Sequence, residues 1–122
     1  MKLPRLFQPS NSTGVIAEKK ALAYLLSQGL TLLHQNYYCR FGEVDLIMND
    51  NDTLVFIEVR YRKNGDFGGA LASITQTKQR KIIKTANHYL TQLNTEPYCR
   101  FDAIALNETD NSPLWVKDAF QA

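Results

Sequence analysis

"FGEVDLIMNDNDTLVFIEVRYR", Phe41–Arg62, reads as two β-strands around a tight turn. The turn suits a two-residue loop at Asn51 and Asp52 or a four-residue loop from Asp50 to Thr53, and both give the same strand pairing. One face then pairs Val44 with Val59, Leu46 with Ile57 and Met48 with Val55, an unbroken apolar set expected to be the core side. The other face pairs Glu43 with Arg60, Asp45 with Glu58, and Ile47 with Phe56. Each strand therefore carries an acid in its middle, where burying a charge is costly.

Directly opposed like charges destabilise a sheet, because the side-chain roots stand only about 5 Å apart. Two such carboxylates repel or share a proton unless something positive sits between them. A divalent cation held by oxygen ligands meets that need, and Mg²⁺ commonly takes one or two protein carboxylates. The alternative is a surface ion-pair patch in which Asp45 pairs with Arg40 or Arg62 and Glu58 pairs with Arg60.

Upstream, a helix is expected to start near Thr13 and to end near Gly29, with Val15, Leu22, Leu25 and Leu26 on one side and Lys20 and Ser27 opposite. Glu18 breaks the pattern by projecting between Leu22 and Leu25, which makes it a third candidate acid if the helix crosses the acid-bearing face. "LTLLHQNYY" is a first strand, "KNGDFGGALAS" reads as a mobile glycine loop, and Ile74 to Leu93 is an amphipathic helix. "YCRFDAIAL", from Tyr98, is a fourth strand, and "LWVKDAF" is a short last strand or a turn of helix. The expected order is helix, three strands, helix, strand: a mixed α/β sheet flanked by helices, built as one domain over 13–122 behind a loose arm at 1–12.

With 44% hydrophobic and 11% aromatic residues, 122 residues suffice for a single core. No apolar run reaches signal-peptide length or the roughly 18 residues of a membrane span, so a soluble cytoplasmic protein without membrane association is expected. Cys39 and Cys99 share no close spacing with each other or with His34 and His88, which argues against a zinc site or a disulfide framework. The net charge of +2 is small, yet half of the 14 lysines and arginines fall between Arg60 and Lys84, against Asp66 alone. Arg80, Lys81 and Lys84 lie on the polar face of the second helix and Lys78 at its margin. Asp102 is expected to tie a strand end to an arginine or a helix start, and Trp115 and the tyrosines to pack in or beside the core.

"GEVDLI" followed by "FIEVRYR" resembles the signature of the PD-(D/E)XK nuclease fold, the restriction-endonuclease-like class that includes archaeal Holliday junction resolvases. Over nearly all of the chain after the first dozen residues, the resemblance is closer to the YraN family of bacterial proteins. It rests on Glu18, "GEVDLIM", "VFIEVRYR", "FGGALASITQTKQRKI", "CRFD" and "WVKDAF". The resemblance implies metal acids at Asp45 and Glu58, a catalytic basic residue at Arg60, a helical acid near the metal at Glu18 and a backbone carbonyl ligand at Val59. It also places a helix-borne polar residue near the site at Gln79. Nuclease members usually carry Lys where this chain has Arg60. Lysine can orient or deprotonate water, whereas arginine stays protonated and can only position groups or stabilise negative charge.

The function expected from the resemblance is Mg²⁺- or Mn²⁺-dependent hydrolysis of phosphodiester bonds in DNA or RNA. Lys78, Gln79, Arg80, Lys81, Lys84 and Arg62 would lie along the nucleic acid, and a homodimer is expected by analogy with resolvases. The alternative is a nucleic-acid-binding module with a non-catalytic site, and beyond it a structural or protein-interaction domain whose helix basics are merely solvated.

Overall fold

Asn51, at φ 56°, closes the central hairpin between Asp50 and Thr53, the two-residue one of the two turns that the sequence allowed. The computed structural model describes residues 13–63, 67–108 and 112–122, so the arm at 1–12 and Gly65 of the glycine stretch lie outside it. Around the hairpin the elements run α1 (Thr13–Ser27), β1 (Thr31–Cys39), β2 (Gly42–Asp50), β3 (Thr53–Arg62), α2 (Phe67–Ala72), α3 (Gln76–Leu90), β4 (Tyr98–Asn107) and β5 (Leu114–Phe120). The strands form one five-stranded sheet in chain order. All neighbours are antiparallel except β3 and β4, which run parallel and are joined by the crossover through α2 and α3.

Both faces of the sheet are buried, which corrects the expectation of a single core side. On β3, Val55, Ile57 and Val59 pack with Ala17, Ala21 and Leu25 of α1, while Leu54 and Phe56 pack with Ile74, Ile82 and Ala86 around α3. Strands covered on both sides are apolar almost continuously, and "LVFI" meets that description. Ile47 and Phe56 are thus core residues of the α3 side.

The pairing of β2 with β3 holds from Leu46↔Ile57 to Asp50↔Thr53, as the turn dictates. Val44 departs from expectation: it packs with Tyr37 and Phe56 on the α3 side, whereas Leu46 packs on the α1 side. Residues two apart in a regular strand share a face, so the pleat of β2 is interrupted at Asp45. In the neighbouring β1 the register shifts between Leu32 and His34, and Asn36 takes φ 50° between Gln35 and Tyr37, the partners of Leu46 and Val44.

Two further expectations are revised, and one left open between strand and helix turn is decided as a strand. Leu26 is 47% exposed and the buried ridge of α1 is Ala17–Ala21–Leu25 at i, i+4 spacing, so the small residues let this helix lie close to the sheet. Phe67–Ala72 is a short helix in place of the inner part of the expected loop. "LWVKDAF" is a strand, held to β4 at Ala103↔Val116 and Ile104↔Trp115. Gly29, at φ 98°, ends α1 as anticipated, and the Leu30 amide donates back to the Leu25 carbonyl at 3.2 Å.

Asp102 is fully buried on β4 and accepts four hydrogen bonds: two from Arg100, at 2.9 and 3.0 Å, and one each at 2.9 Å from the Trp115 indole and the Asp118 amide. Arg100 also reaches Asp50 at 2.9 Å, tying β4 to the hairpin turn. The acid therefore has the strand-end structural role read from "CRFD". Trp115 packs against the core as expected, but Tyr38 and Tyr98 are 50% and 80% exposed. No helix among the described residues is long and apolar enough to cross a membrane.

Candidate metal and nucleic-acid site

Beyond Leu46↔Ile57, towards the start of β2 and the end of β3, the regular pairing of these strands stops. There the Val59 amide donates to Asp45 Oδ2 at 2.8 Å, so a side chain takes a bond that a strand backbone would normally accept. The opening forms a pocket of ≈ 370 Å³ lined by Gly14, Ala17, Glu18, Glu43, Asp45, Glu58, Val59, Arg60 and Tyr61. Although α1 covers the face opposite to Glu58, Glu18 still lines this pocket, because the gap opens at the end of the sheet and both faces reach it.

Four carboxyl groups and the Arg60 guanidinium line this one opening. Burial raises the Asp45 carboxyl well above its usual range, and the neighbouring Glu58 and Glu18 charges push it further, against the lowering effect of the Val59 amide. Burial also raises Glu58, whose side chain is only 12% exposed; its hydrogen bond with Asp45 and the charges of Arg60 and Lys78 offset part of that rise. The pair thus shares a hydrogen bond in which Asp45 is the more readily protonated member.

Arg60 is the cation inside this set. Its Nη1 lies 3.2 Å from Glu58 Oε2, and its Nε donates to Ser73 Oγ at 2.8 Å, while Ser73 in turn donates to the Ala70 carbonyl. The ion-pair alternative is therefore half realised: Glu58 has its own guanidinium, while the bonds of Asp45 run to the Val59 amide and to Glu58. Ser73 and Asn36 escaped the sequence reading. Ser73 gave no signal, but an Asn set among strand-forming residues in "LLHQNYYC" is a residue suited to positive φ, and its Nδ2 donates to Glu18 Oε1 at 2.8 Å. Glu43 also lines the pocket, and it was read only as a partner of Arg60.

The basic residues of α3 approach from the other side. Thr75 caps the helix by accepting from the Lys78 amide at 3.2 Å, which fixes its first turn, and the Lys78 charge is felt by Glu58. Lys81 stands against the start of β2, its Cβ about 3.7 Å from where a side chain at Gly42 would begin, next to Glu43. Lys78, Arg80, Lys81, Lys84 and Arg62 are exposed. Gln79 is placed elsewhere: its Nε2 donates to the Ile74 carbonyl at 3.1 Å, and it lines a separate recess with Leu71, Ala103 and Phe120.

An all-oxygen donor set suits a hard divalent ion such as Mg²⁺ or Mn²⁺. Among the described residues no group of three or more His, Cys, Asp or Glu is close enough to hold a metal ion. A divalent ion in this pocket would rest on one or two carboxylates, with water completing its shell.

Residues 17–106 match the family described as "Uncharacterised protein family UPF0102", a span that runs from within α1 to within β4 and holds every carboxylate of the pocket. The chain belongs to the UPF0102 family. It is 69% identical over 121 residues to a UPF0102 protein of Psychromonas ingrahamii, covering 99% of both chains. It is 52% identical over 105 residues to a UPF0102 protein of Nitrosospira multiformis, covering 85% of this chain and 88% of the relative. A UPF0102 protein of Legionella pneumophila strain Corby is 50% identical over 111 residues, 89% of this chain and 94% of its own. The UPF0102 match bears out the family read from the motifs, and these relatives are bacterial proteins of similar length.

Proposed function

We propose that the chain has a restriction-endonuclease-like fold and is a metal-dependent, resolvase-like nuclease that hydrolyses phosphodiester bonds of DNA or RNA. The observation that carries this reading is the Asp45–Glu58 pair: two half-buried carboxylates with raised pKa, sharing a hydrogen bond at the mouth of an acidic pocket beside a fixed guanidinium. Such clusters of mutually perturbed groups in a cleft are characteristic of functional sites. When bound, a divalent cation would polarise the phosphate and activate water.

The protein's own part follows from the geometry. Asp45 and Glu58 supply the carboxylate oxygens, with Asp45 steered by the Val59 amide. Glu18 lines the same pocket and accepts or orients water there. Arg60, held between Glu58 and Ser73, presents its guanidinium to offset charge developing on the phosphoryl oxygens. Lys78, Lys81 and Lys84, with Arg80 and Arg62, contact flanking phosphates. Asp45→Ala is expected to abolish cleavage of branched or single-stranded substrates in Mn²⁺, and cleavage that survives in this variant defeats the assignment.

A second reading, a nucleic-acid-binding module without chemistry, is favoured by the ion pair that already engages Glu58. It requires salt-sensitive binding with no heat of Mg²⁺ or Mn²⁺ binding, so a calorimetric titration separates the two. Under the first reading a homodimer is proposed by analogy with resolvases, and sedimentation equilibrium tests it.

A further inference from the structure

Gly42, at φ 148°, carries the turn between β1 and β2 against α3: a side chain begun there would stand 3.4 Å from Thr85 Oγ1 and 3.7 Å from Lys81 Cβ. The two residues before it are Arg40 and Phe41. Arg40 is exposed, and its guanidinium carbon lies 4.8 Å from the centroid of the Phe41 ring, a cation–π contact. The same ring meets His88 of α3 edge to face, at 6.4 Å between centroids. His88 is held in turn, because its Nδ1 is hydrogen-bonded to the Tyr37 hydroxyl, which accepts from Gln92 Nε2 at 2.8 Å. Tyr37 belongs to the buried core, so the ring that braces Phe41 is itself fixed.

The surface around this pair is basic. Lys81, Lys84 and His88 recur at i, i+3 and i+7 on one face of α3, and Lys81 stands against the turn itself. Glu43, which lines the acid pocket, is two residues beyond Phe41, at most about 7 Å along the chain. A guanidinium layered on an aromatic ring offers a plane for an unstacked base, and cations beside it match the phosphates of the same strand. A base inside a duplex is already stacked on its neighbours and has no face to give. From this juxtaposition we infer that Arg40 and Phe41 form a stacking platform for an unpaired base, and that the nucleic acid crossing Lys81 and Lys84 is single-stranded where it reaches the pocket. The inference rests on the nucleic-acid reading above and adds the class of substrate to it: a single strand, or a flap with unpaired bases, in preference to continuous duplex.

The test is fluorescence anisotropy of the full chain in EDTA, with a labelled oligothymidylate and a duplex of the same length as probes. Wild type is compared with Arg40→Lys, Phe41→Leu and Phe41→Tyr, and a thermal melt of each checks that it folds. Lysine keeps the charge of Arg40 without its plane. Wild type is expected to prefer the single strand. Arg40→Lys and Phe41→Leu should each lose about 10-fold of that affinity, the scale of one base stack, and Phe41→Tyr should retain it. The salt slope and the affinity for duplex should stay as in wild type, because no phosphate contact is removed. Preference of wild type for the duplex overturns the inference while leaving the phosphate contacts of α3 standing. So does single-strand affinity that is unchanged in Arg40→Lys or that falls equally with duplex affinity; Arg40 is exposed, so this variant decides the matter even where Phe41→Leu fails to fold. Wild type that binds neither probe overturns the nucleic-acid reading and this inference with it.

Discussion

The Val59 amide donates to the Asp45 carboxylate at 2.8 Å, so β3 holds an acid of β2 by a backbone bond at the point where their regular pairing ends. The bond orients the carboxylate without neutralising it, and burial beside Glu58 keeps its ionisation unfavourable.

A pH dependence follows from that arrangement. Both carboxyl pKa values are raised in the folded chain, chiefly by burial, so between the usual carboxylate range and the raised values the folded state binds more protons than the unfolded state. Their contribution to stability is fully present at low pH and is lost as pH rises through the raised values. In EDTA, Asp45→Asn should flatten this part of the pH profile and raise stability at neutral pH, by about 1.4 kcal/mol for each pKa unit relieved. Urea midpoints measured from pH 4 to 8 check it, and a variant less stable than wild type at neutral pH contradicts it.

Arg60 joins Glu58 to Ser73 through two different nitrogens. Lysine at this position keeps the charge but cannot hold both partners, so Arg60→Lys should lose about 1 kcal/mol of stability while retaining most of the turnover in Mn²⁺. Arg60→Ala should lower kcat by about 100-fold or more, the scale of losing one donor aimed at developing charge. Single-turnover cleavage of a labelled strand distinguishes them, and equal rates in both variants would remove Arg60 from the mechanism.

Under the proposed function the exposed lysines of α3 contact nucleic acid through charge alone. Replacing Lys81 and Lys84 with Gln should reduce the slope of log affinity against log salt by up to about 2, roughly one for each phosphate no longer neutralised. Mn²⁺ binding should stay as in wild type. Fluorescence anisotropy across a salt series gives the slope, and an unchanged slope would mean that this face is ordinary solvated surface.

Asp102 is a stability prediction with no catalytic content. Asp102→Ala leaves Arg100, 19% exposed, without its buried partner and deprives the Trp115 indole of its acceptor. Breaking one side of such a pair costs about 3–5 kcal/mol. Chemical denaturation followed by Trp115 emission reads both the loss and the altered indole environment.

The hairpin was legible because its turn and its alternating apolar residues fix a single register, and a slip by one residue would turn every side chain over. Glu18 was legible as an acid inside an apolar stripe. The interruption at Asp45 was not, since it depends on Asn36 in the neighbouring strand and on α1 closing over Leu46 and Ile57, relations that no local pattern carries. The second buried face was present in the apolar partners Ile47 and Phe56 but was masked by the acids beside them. The Phe67–Ala72 helix was obscured by Gly68 and Gly69, which lower helix propensity without forbidding a short turn stabilised by packing on β3 and β4.

The sheet joins near neighbours in sequence everywhere except between β3 and β4, whose parallel alignment spans the long crossover. All four acids of the pocket lie between Glu18 and Glu58, ahead of that crossover. A growing polypeptide has therefore made all four acids of the pocket before the strand β4 that buttresses β3 is made. Closure of the sheet therefore comes after the last acid of the pocket has been made.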